Sequence, residues 1–206
     1  MNLQAVAAAD AFVRLEPLAP AHRDDLRAAC EADAEIWTSL YPISWAGEHF
    51  DPSWDRLAGE VAAGRYIAHA VLVGGRCGGM TSYLNIDRLN GAAEIGGTYY
   101  RPDLRGGPIN PAAKRLMMAN AFAAGARRVV FRVDALNARS RAAVTKLGAH
   151  LDGVMRQDMI TWTGRIRDTA VYSVLADEWP IVRERLDERL AAFAATKFEG
   201  VTPHGR

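Results

Sequence analysis

The sequence predicts a mixed β-sheet covered by helices, in an α/β or α+β sandwich. Two observations support this fold class: short segments with β-type alternation recur along the chain, and helical hydrophobic spacing recurs between them. A chain of 206 residues is long enough for one domain with a sizeable core and short for two. We therefore expect a single domain over residues 1–206.

The first half of the chain predicts a strand, a helical region and a three-strand meander. Residues 37–54 hold three tryptophans and two prolines, so an irregular loop or a short helix is expected there. Gly74-Gly75 joins two β-rich runs, which predicts a hairpin. The predicted elements are a strand over 12–18, a helix over 54–63, and strands over 66–73, 80–86 and 92–100.

The second half predicts helices and strands in alternation. After a glycine-rich loop a helix starts at Pro111, with Asn110 as its N-cap and Gly125 as its C-terminal stop, since these residue types favour those positions. The later predicted elements are a strand over 128–133, a helix over 137–147, hairpin strands over 151–160 and 169–175, a C-terminal helix over about 180–195 and a frayed tail over 196–206.

Composition excludes several classes of protein. Half of the residues are hydrophobic and the formal net charge is +1, so no overall field attracts nucleic acid or an anionic membrane. No stretch approaches the roughly 18 apolar residues that span a bilayer, and residues 1–10 do not resemble a signal peptide. Cys30 and Cys77 match no metal or redox spacing, which favours reduced thiols. We expect a cytoplasmic protein without nucleic-acid or membrane partners.

Other common site patterns are missing from the sequence. The five histidines have no ligand spacing, so no metal site is predicted. No serine lies in a nucleophile elbow, and no dinucleotide or Walker pattern occurs. Trp37, Trp45 and Trp54 are predicted to be core and lip aromatics rather than a base-stacking platform.

Residues 94–114 form the most informative segment. They predict a strand, a glycine-containing loop and a helix N-terminus, which together offer N–H donors and a positive dipole end to a phosphate. Arg105 and Lys114 add mobile positive charge at the same place. The alternative is a tight strand-to-helix turn with basic residues on its surface.

A second segment carries the Asn137-Ala-Arg-Ser140 helix start and continues to Leu-Gly-Ala at residues 147–149. With Ala-Glu-Ile-Gly at 93–96 and the closing strand at 171–179, this order and spacing of motifs resembles the GNAT acetyltransferase superfamily. The resemblance is to the branch of ribosomal-protein N-terminal acetyltransferases and their relatives. It covers residues 12–179, the expected GNAT-like core.

The resemblance implies a mixed, mostly antiparallel sheet that is flanked by helices and opens as a V between the fourth and fifth predicted strands. The pantetheine arm of acyl-CoA would lie in that V along Gly96 and Gly97, because glycines in a strand mark bulges or close backbone approach. Asn137 and Ser140 match the family's positions near the far side of the thioester arm.

The same resemblance places the pyrophosphate on the loop and on the helix that follows it. The implied cofactor-binding residues here are Arg105, Gly106, Gly107, Asn110 and Lys114. The family's loop has Gln or Arg, two residues, Gly, any residue, and then Gly or Ala. With Arg105 in the first position, Pro108 and Asn110 occupy the two small-residue positions. Proline has no N–H to donate, and asparagine adds bulk beside the phosphate path.

Acylation of an amine requires a base for the protonated amine and a donor for the oxyanion. Glu94 is the first candidate, because members of the superfamily often use a glutamate on this strand; a surface carboxylate paired with an arginine is the alternative. Asp158 is the second candidate base. Many relatives place a tyrosine acid where this chain has Val144. Ser140 is then a candidate acid or a helix-capping serine, and Tyr172 a candidate acid or a residue that packs in the sheet.

The sequence therefore predicts transfer of an acetyl group from acetyl-CoA to a primary amine, without a metal, by direct attack in a ternary complex. The acceptor is a protein N-terminus or a small amine, and a homodimer is compatible with the sequence. The alternative is a GNAT-fold module that senses CoA or binds a protein partner with little or no catalysis. Pro108 and the missing tyrosine favour the alternative, whereas Glu94, Asn137 and Ser140 favour the enzyme.

Overall fold

The computed structural model describes residues 1–199. Its strands are β1 (Ala8–Ala9), β2 (Arg14–Pro17), β3 (Ile67–Val73), β4 (Arg76–Asp87), β5 (Ala92–Tyr100), β6 (Arg128–Asp134), β7 (His150–Ile160) and β8 (Ile166–Leu175). Its α-helices are α1 (Arg23–Glu31), α2 (Ile36–Ser39), α3 (Phe50–Ala62), α4 (Ile109–Ala123), α5 (Ala138–Thr145) and α6 (Trp179–Glu199). The strands form one eight-stranded sheet in the order β1-β2-β3-β4-β5-β6-β8-β7.

The sheet is antiparallel except where β5 meets β6 in parallel. That pairing runs only from Ala92–Arg128 to Glu94–Val130. Residues 95–100 and 131–134 continue the two strands without pairing with each other. The sheet thus opens as a V between the strands that the sequence placed fourth and fifth, and the predicted fold class is confirmed. Strand β1 has only two residues, too few for a pattern, and it shifts the strand numbering by one.

Hydrophobic side chains cover both faces of the sheet. On one face, α4, α5 and α6 pack on a large cluster that includes Ile95, Met117, Phe131 and Leu186. On the other face, α1, α2 and α3 pack over β3, β4 and β5 in a cluster that includes Trp37. Because strand side chains alternate, the neighbours of Ile95 and Phe131 in sequence, Glu94 and Arg132 among them, point to the face that α4 does not cover.

Two helix starts differ from the sequence-based prediction. Helix α3 begins at Phe50, four residues before the predicted start, because Pro52 falls in its first turn, where proline needs no N–H partner. Helix α4 begins at Ile109 and not at Pro111, and its N-cap is Pro108. Asn110 therefore lies inside the first turn and is not the N-cap. The first helical bond confirms this, since Ala112 N donates to Pro108 O over 2.9 Å.

At the C-terminus α6 continues to Glu199, so the helix is longer than predicted. The sequence predicts a frayed tail over residues 196–206. Of these, residues 200–206 lie outside the described residues. Within residues 1–199, no helix combines the length and the hydropathy that a membrane crossing requires.

Candidate active site

The cleft begins at a β-bulge in β5, on the open side of the V. Met80 pairs with Tyr99 and Ser82 with Gly96, so β5 carries one residue more than β4 between these pairs. Gly97 takes up the extra residue with a φ of 55°, a conformation that glycine adopts without steric cost. Gly97 is exposed and lies where the sequence expects the thioester arm.

Glu94 sits where β5 leaves β6, and only 7% of its surface is exposed. Its Oε2 accepts a hydrogen bond of 2.7 Å from Asn85 Nδ2, and Arg132 Nε lies 3.9 Å away. Its Oε1 lies over Gly96, where any side chain would clash, since a Cβ would come within 2.8 Å of Oε1. Burial raises the pKa of Glu94, although Asn85 and Arg132 counteract this. The carboxylate thus keeps one oxygen free beside the cleft.

Asn85 holds Glu94 from a second bulge, this time in β4. The register shifts between Leu84–Glu94 and Asp87–Ala92, and Asn85 has a φ of 46°. Asparagine tolerates this left-handed conformation better than most residues, yet it still stores strain of the kind found at functional sites. The sequence did not single out Asn85, because a bulge leaves no periodic pattern.

Asp158 lies on the same face as Glu94 but has both oxygens engaged. Arg132 Nη2 donates to Oδ1 and Oδ2 over 2.9 and 2.7 Å. Burial acts to raise the pKa of Asp158, but a hydrogen bond from Thr169 and the charge of Arg132 outweigh it, so the pKa lies below its ordinary value. A carboxylate held in this way is a weaker proton acceptor than Glu94.

The loop before α4 presents free backbone amides. Among the described residues, no hydrogen-bond acceptor faces the N–H groups of Gly106, Gly107, Ile109 or Asn110, and α4 has no side-chain cap. A Cβ built at Gly106 or Gly107 would meet no atom within 4 Å, so the loop surface is open. Free amides at a helix start, with the helix dipole behind them, suit a phosphate.

Arg105 is tied down instead of mobile. Its Nε donates to Tyr100 O over 2.7 Å, its Nη1 pairs with Asp33, and its guanidinium lies 5.2 Å from the centre of the Tyr99 ring. Its Nη2 is buried without a hydrogen-bond partner. Arg105 therefore keeps one unsatisfied donor near the loop, but it does not reach freely into solvent as the sequence suggested.

Lys114 differs more strongly from its sequence-based prediction. The residue is 5% exposed, and its amino group points into the protein, where it donates to Thr81 Oγ1 over 2.9 Å and to Thr98 Oγ1. It adds no mobile charge at the loop, because the side chain leaves α4 on the face that packs against the sheet.

The start of α5 agrees with the predicted motif. Asn137 is the N-cap, and its Oδ1 accepts from Ser140 N over 2.9 Å. Ser140 is therefore not the cap, and its hydroxyl is without a partner among the described residues. Val144 is buried in the core, and Tyr172 packs in the sheet with its hydroxyl accepting from Arg141 Nε over 3.1 Å. Both hydroxyls, those of Ser140 and Tyr172, therefore keep an unused proton donor among the described residues.

Two segments that are distant in the sequence contact each other on the side of the sheet that carries Glu94. The tip of the β7–β8 hairpin binds the α2 segment, with Trp162 Nε1 donating to Trp37 O over 2.8 Å and Trp162 N to Pro42 O over 3.0 Å. Tyr41 donates its hydroxyl to Thr98 O over 3.0 Å, at the β5 bulge. A shallow, open depression of about 510 Å³ lies beside this segment and is lined by Asp33, Glu35, Ile36, Thr38, Ser39, Leu40 and Arg139.

The family model of the acetyltransferase (GNAT) domain matches residues 13–150. The chain belongs to the GNAT acetyltransferase family. This confirms the resemblance found in the sequence. No curated protein matches the chain.

Solved GNAT structures share the fold over most of their length. A GCN5-related N-acetyltransferase from Brucella melitensis is 31% identical with a TM-score of 0.84, over 92% of this chain and 87% of that one. RimJ from Mycobacterium smegmatis, solved with CoA-disulfide, is 22% identical with a TM-score of 0.76, over 88% and 90% of the two chains. The ribosomal-protein-S5-alanine acetyltransferase from Vibrio fischeri is 17% identical with a TM-score of 0.67, over 84% and 98%.

The open part of the V therefore carries unpaired strand edges, the exposed Gly97 and, before α4, free backbone amides. Residues 1–199 contain no group of three or more His, Cys, Asp or Glu residues that could hold a metal ion. Sequence patterns missed three groups of this site, namely Asn85, Tyr41 and Arg132, because none lies in a motif.

Proposed function

We propose that this GNAT domain is an acyl-CoA-dependent N-acyltransferase that transfers an acetyl group to a primary amine by direct attack in a ternary complex. One observation supports the proposal most strongly. Glu94 is buried where β5 leaves β6, its pKa is raised by burial, and its Oε1 stays free beside the bulge. A general base needs a pKa close to the working pH and access to the amine proton.

In the proposed reaction Glu94 Oε1 accepts a proton from the ammonium group of the acceptor. The amine nitrogen then attacks the carbonyl carbon of the thioester. The C–S bond breaks as the nitrogen passes its second proton to water, which leaves a neutral amide and the CoA thiolate, and water returns a proton to the Ser140 oxygen at the end of the cycle. Ser140 is the proposed proton donor to that thiolate, because its hydroxyl is unused at the start of α5. The oxyanion requires a backbone donor, and the Gly97 bulge supports such a role.

The cofactor arm is proposed to lie along Gly96 and Gly97, near Asn137, with its pyrophosphate on the amides of residues 106–110. For its buried, unpaired Nη2 to reach the pyrophosphate, Arg105 would have to leave its contacts with Tyr100 O and Asp33. The acceptor, a protein N-terminus or a small amine, approaches from the face that holds Glu94. We place the enzyme in the cytoplasm, where the buried free thiols of Cys30 and Cys77 stay reduced.

One observation favours the alternative, a CoA-sensing or protein-interaction module with little or no catalysis. Arg105 is held by Asp33 and Tyr100, so a pyrophosphate would have to compete with these contacts. Pro108, which donates no N–H, also weakens the phosphate cradle.

Binding and turnover separate the two functions. Acetyl-CoA should raise the melting temperature by mass action, and calorimetry should give a saturable isotherm, whereas NAD and ATP at equal concentration should do much less. Release of free thiol with a panel of N-terminal peptides and small amines then detects turnover. An unchanged melting temperature with millimolar acetyl-CoA would overturn the proposed enzymatic function. Binding of acetyl-CoA without thiol release would support the alternative.

A further inference from the structure

Lys114 makes an unusual set of contacts for a buried cation. Its amino group, Thr81 Oγ1 and Thr98 Oγ1 form a triangle, in which the two hydroxyls are 2.9 Å apart. Thr81 also donates to Met117 Sδ over 3.3 Å. No carboxylate takes part, so this buried amino group is held only by neutral partners.

The choice of lysine at this position is informative. The chain contains three lysines, Lys114, Lys146 and Lys197, against 22 arginines. Arginine stays charged at every accessible pH, whereas lysine can release its proton when it is buried. Because this buried site has no counter-ion, a permanently charged arginine would be destabilising here, whereas a lysine can be neutral.

The triangle lies directly beneath the Gly97 bulge. Thr81 is opposite two residues of β5, Gly97 and Thr98, where a regular ladder would have one. Thr98 is held from both sides, because its hydroxyl binds Lys114 and its carbonyl oxygen accepts from Tyr41. A change in the Lys114 contact would therefore move the bulge.

We propose that Lys114 is a positioning residue that fixes the Gly97 bulge of β5 through Thr98, and thereby shapes the part of the cleft that receives the pantetheine arm. The inference rests on the proposed function, because it assigns acyl-CoA to this cleft. Lys114 acts from beneath the strand and does not contact the pyrophosphate.

The charge state of Lys114 supports this role. Burial lowers the pKa of Lys114 to about 7, so its amino group is largely neutral at alkaline pH and gains a proton below neutrality. On β3, β4 and β5, the buried titratable groups of the same face are Tyr83 and Tyr100, whose pKa values burial raises, and His69, whose pKa burial lowers to about 4. None of them is charged at neutral pH, so none compensates a lysine charge.

Binding of two ligands tests the proposal. Acetyl-CoA spans the bulge, whereas adenosine 3′,5′-bisphosphate carries only the nucleotide end. In Lys114→Met, acetyl-CoA affinity measured by calorimetry should fall about 5- to 10-fold, the range of one lost hydrogen bond, and bisphosphate affinity should stay unchanged. Thr98→Val should give the same selective loss. Lys146→Met, an exposed lysine at the end of α5, is the matched control.

A pH series adds an independent measurement. Wild-type acetyl-CoA affinity should change as pH falls through about 7, where Lys114 gains a proton, and this change should be absent in Lys114→Met. Unchanged acetyl-CoA affinity in both Lys114→Met and Thr98→Val would overturn the inference, as would an equal loss for the two ligands, since that indicates general damage. If the wild-type protein binds neither ligand, the proposed function fails first and the inference falls with it.

Discussion

Asn85 Nδ2 donates a hydrogen bond of 2.7 Å to Glu94 Oε2 from a left-handed backbone. Among the non-glycine residues of the described chain, only Asn85 and Gln157 have a positive φ, 46° and 49°. Each lies at a register shift, Gln157 in β7 next to Asp158. The two strained positions therefore adjoin the two candidate bases, which agrees with the tendency of strain to collect at functional sites.

Replacing Glu94 by glutamine should lower the maximal rate by about 100-fold or more, the range for loss of a general base, while acetyl-CoA binding stays nearly intact. The defect should shrink at high pH, where the amine loses its proton unaided. Because the pKa of Glu94 is raised, the wild-type rate should fall as pH drops through that value. Glu188→Gln, on the exposed face of α6, is the control; an unchanged Glu94→Gln rate moves the role to Asp158 or to solvent.

Changes at Asn85 should affect the rate through Glu94. Asn85→Gly relieves the backbone strain but removes the donor, so the protein should be about as stable while the rate drops about 10-fold, as expected for one hydrogen bond to a charged group. Asn85→Asp places a second carboxylate against Glu94 and should move the acid limb of the pH–rate profile to higher pH. If Asn85→Asp leaves that limb in place, Asn85 does not position the base.

Pro108→Gly tests the loop before α4. The change restores an N–H between the free amides of Gly107 and Ile109, and a hydrogen bond to a charged group contributes roughly 1.5 to 3 kcal/mol. Glycine loosens the unbound loop by roughly 0.5 to 1 kcal/mol. We therefore expect acetyl-CoA to bind about 3- to 30-fold more tightly, with slightly lower stability of the free protein.

Calorimetry on Pro108→Gly and the wild-type protein measures this difference. Weaker binding would mean that Pro108 shapes a different cradle, built on Arg105, Gly106 and Gly107. No binding to either protein would mean that the loop is only a turn.

His69 should make stability depend on pH. It is buried, and burial lowers its pKa to about 4, against about 6.5 in an unfolded chain. Between these values the unfolded state binds the extra proton, so stability is lost as pH falls from about 6.5 towards 4, by about 3 kcal/mol in total.

Denaturant unfolding at about pH 7 and about pH 4 measures this loss. His69→Phe keeps a ring against Tyr83. Between the two pH values this variant should lose about 3 kcal/mol less unfolding free energy than the wild type. His150→Gln, an exposed position, should behave as the wild type. Equal pH dependence in His69→Phe and the wild type would contradict the assignment.

The sequence predicted the fold and the order of motifs because each depends on local pattern. The helix start at Asn137, the glycines of β5 and the hydrophobic faces of the helices are all periodic or positional features, although the N-cap there is Asn137 and not Ser140. Lys114 and Arg105 were misjudged, because a loop-flanking cation looks alike whether its side chain turns outward or inward. Only the packing of α4 against β4 and β5 decides where the amino group of Lys114 goes.

For a related reason, the sequence could not predict the roles of Asn85, Tyr41 and Arg132. Asn85 acts through a bulge, and Tyr41 through a contact with Thr98, 57 residues away in the chain. Arg132 meets Asp158 only after β6, β7 and β8 have paired. Such contacts follow from tertiary register, which a single sequence does not encode in any short window.

The opening of the sheet also bears on how the protein unfolds. Pairing between β5 and β6 ends at Glu94–Val130, so strands β1–β5 and strands β6–β8 form two half-sheets joined by a short seam. A pantetheine arm in the V would supply amide partners that no strand provides, much as an additional strand would. Hydrogen exchange should then find two units that open separately in the free protein, and one cooperative unit when acetyl-CoA is bound.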